Sequence, residues 1–522
     1  MQNMKLLTVA ILTSCSWAAA LHAAPSEADI DQIVQRSLEA FQSPGMTVSV
    51  VYDGGTYYAR GHGVLEINKA AKVDESTLFQ VASITKGFTA AALAVLVDEG
   101  KLDWDDSVID YLPDFRMHDP WVTREFTIRD LLTHRSGLPL GAGDLLLVPE
   151  AESSREEIVR AMRYLEPSSS FRSEFAYDNL LYIIAGEVVA KVAGMPFEEF
   201  LEQRLLHPIG MHDCAATLER TDDALPKATP HIELDGKLQT TNSLATPLTA
   251  ATGGVNCSAK SMALWASFIL NKGKNPAGEQ IISANQVGEL LKPVTLLPGR
   301  GYAEKHTGAF LSAYALGWSV STFYGQPLLS HSGGLWGMTS FLTILPEQGL
   351  AVFVSSNSMS PAPRAVANAI MDRFLADLGQ DAGKDWIGIV QEAMNARNSS
   401  AREAVAESAS SRKADSKPSL PLEAYVGTYR DPWYGDIHIS LNDDGQLWFQ
   451  SVRSAPLSGP LEHFQFDTFI ARWTERKYDN DAYVSFSLGA EGNVERIQMK
   501  AVSPATDFSF DFHDLDLERI AD

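Results

Sequence analysis

The stretch "LFQVASITKGFTAAALAVLVDEG", Leu78 to Gly100, carries one lysine at the start of an otherwise apolar run, three residues after a serine. From Gly87 to Val97 every residue except Thr89 is apolar or glycine, which predicts a helix buried on all sides rather than along one stripe. Glu99-Gly100 supplies its stop. Ser83 and Lys86 stand one turn apart at its beginning, so their side chains share a face. A serine there feels the positive end of the helix, and its own N–H is one of the donors left open at that end. A lysine beside such a segment loses hydration, which favours its neutral form and lowers its pKa; it can then take a proton from a hydroxyl or share one with a phenol. An S-x-x-K pair alone reads equally as a capping serine and a lysine whose head reaches water, so the chemistry has to be sought elsewhere in the chain.

Two distant segments supply it. "FAYDNLLYIIAGEVVAKVAG", Phe175 to Gly194, sets Tyr177 and Asn179 just before an apolar helical run that starts at Leu180. Taken singly, a tyrosine at a helix entrance is packing and an asparagine there is a cap. "PLLSHSGGLWGMTSFLTIL", Pro327 to Leu345, sets His331-Ser332-Gly333-Gly334 inside a strand pattern. Glycines within a strand mark a bulge or weakness, and they also let a substrate backbone come close.

The 522 residues are 45% hydrophobic and 21% charged, ordinary for folded domains and enough for two or three of them. A formal net charge of -24 excludes a nucleic-acid partner as the natural reading and fits a small-molecule or peptide substrate. "MQNMKLLTVAILTSCSWAAALHAAPSEAD" has a Lys5 n-region, an apolar core and small residues near Ala23 and Ala24, the pattern of a cleaved export signal over residues 1–24. The chain is therefore expected in the periplasm or secreted, with a lipoprotein box at Leu12 to Cys15 as the alternative. No other segment has the length of apolar sequence a membrane span needs. Cys214 and Cys257 read either as a disulfide or as two small buried hydrophobes. No CxxC pair or HExxH occurs and the histidines are scattered, so neither a metal nor another cofactor is expected.

Strand patterns lie at both ends of the first part, in "TVSVVYDGGTYYARG" and in "YALGWSV" and "GMTSFLTILPEQGLAVFVSS", with helical patterns between. One antiparallel sheet built from the two ends and flanked by helices follows, an α+β arrangement. "NARNSSAREAVAESASSRKADSKPSLP", Asn395 to Pro421, is too poor in bulky apolar residues to bury a face and reads as a linker, helical in part. Beyond it the alternation in "GDIHISLNDDGQLWFQ", "AYVSFSL" and "DFSFDF" predicts short strands in a small closed or rolled all-β domain. The expected division is residues 25–394, a linker at 395–418 and a barrel-like domain at 419–522.

Ser83-Ile-Thr-Lys86, Tyr177-Asp-Asn179 and His331-Ser-Gly333 stand in the order and approximate spacing of the three motifs of the serine β-lactamase and penicillin-binding-protein superfamily, and the chain resembles its class C-like esterases, D-aminopeptidases and carboxypeptidases. "TIRDLLTHRSGLP", "GWSV" and "GGVNCSA" are similar to further stretches of that group, and the likeness covers roughly residues 29–378. The resemblance implies a β-lactamase/transpeptidase-like domain and a serine hydrolase working through an acyl-enzyme on Ser83, with Lys86 and Tyr177 sharing the activating proton. It implies that Asn179 orients the substrate, that His331 and Gly333 belong to the substrate strand, and that the N–H groups of Ser83 and Gly334 form the oxyanion hole. One departure stands out: β-lactamases of this type have lysine where His331 stands. A permanent cation becomes a group mostly neutral at pH 7, which favours ester, amide or peptide cleavage over antibiotic hydrolysis. The alternatives are a penicillin-binding or cell-wall-peptide-sensing protein with little turnover, and a true β-lactamase. The barrel is read as a pocket wall, a partner site or a contact in a homo-oligomer.

Overall fold

The computed structural model describes residues 24–299, 305–376 and 383–520; the export-signal and lipoprotein readings lie on residues 1–23, outside the described residues. Strands β1 (Gly45–Tyr52) and β2 (Gly55–Gly63) form a hairpin whose turn uses positive φ at Asp53 and Gly54. In chain order there follow β3 (Phe79–Gln80), β4 (His231–Leu234), β5 (Lys237–Thr240), β6 (Asn256–Cys257), β7 (Thr295–Leu296) and β8 (Ala313–Tyr314). Then come β9 (Ser319–Phe323), β10 (Gln326–Leu335), β11 (Met338–Leu345) and β12 (Leu350–Ser356). The main sheet has the order β2-β1-β12-β11-β10-β9-β8-β7 and its central pairs are antiparallel, so β1 near the start closes on β12 near the end, as the two-ended strand pattern requires. Helices Glu27–Phe41 and Ala362–Phe374 cover one face through Ile30, Val34, Val366 and Ile370. Ala259–Leu270 packs on the other face against β1 and β12, and Thr85–Asp98 packs on Leu180–Ala193 and, through Phe88 and Trp265, on Ala259–Leu270.

The lysine helix is buried from Thr85 to Leu96, which is why its sequence shows no polar stripe. Its Gly87 lies against the Trp318 indole, where an added Cβ would sit 3.4 Å from the ring, and Phe88 stacks on Trp265 at 4.0 Å between centroids. Cys214 and Cys257 are joined in a disulfide that ties the segment after helix Leu180–Ala193 to β6. Of the two readings of these cysteines, the bonded one holds. Among the described residues no single helix is long and apolar enough to cross a membrane, and no group of three or more His, Cys, Asp or Glu side chains is placed to hold a metal ion.

Residues 395–411 continue the long helix Trp386–Ser411, which leans on the second domain through Ser408 and Tyr483. That domain is a closed barrel of eight strands, β13 (Gly427–Asp431), β14 (Gly435–Leu441), β15 (Leu447–Ser451), β16 (Ser458–Gln465), β17 (Thr468–Ala471), β18 (Ala482–Leu488), β19 (Val494–Ala501) and β20 (Asp516–Arg519). Closure by β13 against β20 leaves the sheet no free edge. Ile437, Ile439, Leu447 and Phe449 point inward, as their alternation predicts. "DFSFDF" departs from expectation. Residues 507–512 form no strand but a turning segment between β19 and β20, and the alternation of Phe508, Phe510 and Phe512 reflects contacts with the first domain and the barrel core. "YALGWSV" is likewise interrupted, because Gly317 turns the chain at φ +80 between β8 and β9.

"TIRDLLTHRSGLP" holds the region together around one buried acid. Thr127 and Asp130 make a reciprocal capping box, and the same carboxylate takes Arg135 at 3.0 Å and Arg172 through Nε at 3.0 Å. Asp130 has no solvent exposure, so its removal leaves two guanidiniums and a helix cap without their anion. Asp130→Ala is expected to lower stability by about 3 kcal/mol in urea unfolding; a loss under about 1 kcal/mol would place this cluster with weak surface ion pairs.

Candidate active site

Three chain segments meet at one pocket. The nucleophile candidate Ser83 lies in the single 3-10 turn Ala82–Ile84 that leads into helix Thr85–Asp98, and its hydroxyl makes no capping bond. Ala82 before it is held at φ +48, a conformation non-glycine residues rarely adopt. The turn is pinned from the sheet: Ser340 Oγ on β11 donates to the Val81 carbonyl at 2.7 Å, and Gly333 on β10 comes so close that an added Cβ would lie 2.3 Å from the same carbonyl. The third-motif glycine is therefore demanded by the approach of strand to turn.

Lys86 has no solvent exposure. Its Nζ lies 3.2 Å from Ser83 Oγ, 2.8 Å from Asn179 Oδ1, and 3.1 and 2.8 Å from the carbonyl and hydroxyl oxygens of Thr252. The rings of Tyr177 and Tyr182 flank it, with Nζ 4.7 and 5.2 Å from their centroids. No carboxylate touches it. Burial therefore draws its pKa down to about 7, against the pull of Asp144 and Asp178 one layer out. The Asn179 and Thr252 carbonyl oxygens can only accept, so they take two of the amine's hydrogens. The remaining position faces hydroxyls, and in the neutral lysine it is a lone pair.

Tyr177 is hydrogen-bonded to Ser83, but burial raises the phenol's pKa and outweighs that bond. The lysine titrates near neutrality and the phenol keeps its proton, so of the two groups said to share the activating proton it is Lys86 that is free to accept one. The Tyr177 loop is fixed from behind by the "THRSG" turn. Ala176 N–H donates to the His134 carbonyl at 2.9 Å, Asp178 N–H to His134 Nδ1 at 3.1 Å, and the imidazole packs on the Tyr177 ring at 4.2 Å. Asn179 stands at the start of helix Leu180–Ala193 without capping it; its amide donates to Asp144 at 2.7 Å and its oxygen faces the lysine.

His331 lines the pocket, yet both its ring nitrogens are engaged, Nδ1 with the Ser332 carbonyl at 2.7 Å and Nε2 with the Tyr314 hydroxyl at 2.8 Å. A carbonyl accepts only, so Nδ1 carries the hydrogen and Nε2 accepts from the phenol. Burial and Lys86 push the imidazole down to about 3, and it is neutral throughout the working range. Strand β9 pairs with β10 only as far as Ser330, so residues 331–335 have no neighbouring strand on that edge. A Cβ at Gly334 would meet nothing within 4 Å, which leaves room for a substrate beside Ser83.

The structure places Ser83, Lys86, Tyr177, Asn179, His331, Gly333 and Gly334 together around one pocket and adds Thr252, Asp144 and the barrel loop, which the sequence analysis did not single out. Thr252 directly precedes "GGVNCSA", which the resemblance had singled out without a role. Asp144 follows two glycine turns, Gly141 and Gly143, both at φ +77, the signal of a loop shaped for close contact. Asp507, Phe508 and Ser509 line the pocket of about 330 Å³ from the barrel side, with Phe508 edge-on to Tyr177 at 5.8 Å. No arginine or lysine is among the lining residues.

A beta-lactamase family model matches residues 30–376, and a domain family of unknown function, DUF3471, matches residues 411–519. The chain is 27% identical over 507 residues to the unguisins hydrolase ungD' of Aspergillus campestris, covering 91% of this chain and 89% of that protein. It is 24% identical over 333 residues to protein flp of Staphylococcus aureus, with 64% and 63% covered. The octameric penicillin-binding protein homologue from Pyrococcus abyssi superposes with a TM-score of 0.60 at 21% identity, over 94% of this chain and 99% of that one. SurE superposes with a TM-score of 0.54 at 20% identity, over 94% and 98%. With that model matched across both ends of the main sheet and the whole pocket of the first domain, the chain belongs to the beta-lactamase family, a superfamily of serine hydrolases.

Proposed function

We propose that the protein is an exported serine hydrolase that cleaves an ester, amide or peptide bond through an acyl-enzyme on Ser83. The observation that carries this reading is a fully buried Lys86 with its amine 3.2 Å from Ser83 Oγ and its pKa near neutrality. The neutral amine takes the Ser83 proton, directly or through the Tyr177 hydroxyl, as Oγ bonds to the substrate carbonyl carbon. The negative charge that develops on the carbonyl oxygen is met by the N–H groups of Ser83 and Gly334, at the end of the buried helix and on the open edge of β10. Collapse breaks the bond to the leaving group, which takes a proton from Tyr177, and Lys86 returns one to the phenol. Water then attacks the acyl carbon by the same route in reverse. Because burial keeps Tyr177 protonated at rest, its part is to pass and donate protons while Lys86 is the resting base.

The pocket favours a substrate without a carboxylate at the scissile site. It offers no arginine or lysine side chain, His331 is neutral with both nitrogens engaged, and the one charged group at its exposed rim is Asp507. That argues for an esterase, amidase or peptidase over a β-lactamase. The hydrolase name of the Aspergillus relative supports turnover over mere binding, and a Cys214–Cys257 disulfide suits an oxidising compartment.

A fluorophosphonate is expected to label wild-type protein at Ser83 alone. Ser83→Ala should abolish labelling, and Lys86→Met should slow it about 10³-fold; intact-mass spectrometry reporting stoichiometric label on another serine rejects the proposal. Profiling against p-nitrophenyl esters, nitrocefin, amino-acid amides and short peptides identifies the substrate, and an adduct with it that persists for hours instead of clearing moves the protein to the sensing class.

The pH dependence has a definite sign. Lys86 is the base only when neutral, and its pKa has been drawn down to about 7. Acylation should therefore be full above that pH and fall about tenfold per unit below it. A labelling rate that is flat from pH 5.5 to 8.5 would exclude Lys86 as the base.

A further inference from the structure

The barrel does more than close the pocket. Its β19–β20 loop reaches the short 3-10 turn Asp144–Leu146 of the first domain, where Asp511 accepts the N–H groups of Gly143 at 2.7 Å and Leu145 at 2.9 Å and so caps that turn from another domain. Between those two amides stands Asp144, fully buried. Its Oδ2 accepts from Ser509 Oγ of the barrel at 2.8 Å and from Asn179 Nδ2 at 2.7 Å, while its Oδ1 has no hydrogen-bond partner. Asn179 then turns its oxygen to Lys86 at 2.8 Å. A continuous chain of polar contacts thus runs from a barrel serine to the amine beside Ser83.

We propose that Ser509 and Asp144 are positioning residues for acylation: the barrel hydroxyl orients the Asp144 carboxyl, which holds the Asn179 amide nitrogen and so fixes the amide oxygen on Lys86. The inference rests on the serine-hydrolase reading above. Its logic is the two-faced geometry of an amide. Were Asn179 reversed, its NH₂ would point at the lysine's own hydrogens, and the position facing Ser83 would no longer be the one left over. On the near side the Thr252 hydroxyl donates to the same amide oxygen at 3.1 Å, and on the far side an acceptor for the amide nitrogen completes the orientation, supplied by a carboxyl that a third group holds. Gly141 keeps the barrel loop this close, since a Cβ there would lie 2.7 Å from the Phe508 carbonyl oxygen.

The arrangement also couples two protonation states. Burial and Asp178 push Asp144 up to about 8, while Ser509, Asn179 and Lys86 draw it down. An ionised Asp144 in turn holds Lys86 charged. The other titratable groups facing this pair are Tyr177, Asp178 and Tyr182 around helix Leu180–Ala193, His134 behind them, His331 on β10 and Asp511 from the barrel. Removing the Ser509 hydroxyl takes away a bond to the ionised carboxylate, so Asp144 ionises less readily and Lys86 loses its proton more readily. Asp144→Asn keeps acceptors for both neighbours and removes the charge, with the same consequence for the lysine.

The test measures the rate of Ser83 labelling by a fluorophosphonate against pH in the full chain, with thermal unfolding recorded for each variant. Ser509→Ala and Asp144→Asn are expected to move the acid limb to lower pH by roughly 0.5 unit, about a threefold change in the protonation equilibrium. Ser509→Ala should also reduce the plateau rate about tenfold through the loosened Asn179, and Ser509→Thr, which keeps the hydroxyl, should restore limb and plateau. An acid limb in Ser509→Ala that stays at the wild-type pH overturns the proposal, even if the rate falls, because altered pocket shape alone would lower the rate without moving the limb. If wild-type Ser83 takes no label, it is the underlying hydrolase reading that fails, and the two failures are told apart by the wild-type control.

Discussion

Everything at the pocket is organised by the burial of one ammonium. A lysine with no solvent exposure and no carboxylate in contact loses its hydration without an ion pair to replace it. Two aromatic faces and neutral oxygens compensate in part, and Asp144 and Asp178 act only from one layer further out. A carboxylate in direct contact would hold the lysine charged and make it useless as a base; the absence of any acid would drive it neutral and leave no return path for the proton. The intermediate distance of the acids is what leaves the amine balanced near neutrality. The two acids share the same difficulty, and both are pushed up toward neutral pH by burial. The site therefore stores its charges as coupled proton equilibria rather than as fixed ion pairs.

Bringing a strand edge, a helix start and a loop within reach of one hydroxyl is a problem of excluded volume. It is solved by removing side chains at the closest points. Gly333 admits the Val81 carbonyl, Gly87 admits the Trp318 ring, and Gly317 passes so near the Lys86 carbonyl that a Cβ would stand 2.7 Å from it. Ala82 accepts a left-handed conformation beside Ser83, held there by the Ser340 bond to Val81 and by the packing of β10. The lysine helix meanwhile is packed on every side and cannot shift to relieve the approach.

The sequence is informative where physics writes a period or a joint motif, and silent where a contact is set by the meeting of distant segments. The all-round apolar run after Lys86, the strand patterns of "TVSVVYDGGTYYARG" and the alternation of β14 and β15 each follow from a repeat and are found where they were read. The seven site residues were legible because three short motifs occur in order and so constrain one another. Thr252 was not, since a threonine carbonyl beside a lysine leaves no trace in composition. Ser509 and Asp511 read as strand because Phe508, Phe510 and Phe512 alternate with them, but in the loop Phe508 stays exposed while Asp511 is buried with Phe510 and Phe512, so the period in the sequence is not a period of burial. The protonation of Tyr177 was not legible for a related reason: its nearness to Lys86 and Ser83 follows from motif order, but the depth of burial that holds the proton on the phenol does not.

The histidine of the third motif follows from the same electrostatics. A second lysine on β10 would face Lys86 across a buried pocket, and each charge would raise the energy of the other. His331 avoids this as a neutral ring, accepting from the Tyr314 phenol and donating to the Ser332 carbonyl. Protonating it would desolvate a second charge and place it beside Lys86, and burial with that neighbour draws its pKa down to about 3. The residue thus stands where relatives of this type carry a cation while supplying no charge, and among the described residues Lys86 is left as the cation at the pocket's floor. With Asp507 at the rim from the barrel side, the charge a substrate meets on entry is negative. The charge presented at the pocket is therefore set by both domains, the first withholding a cation at His331 and the second contributing the Asp507 carboxylate.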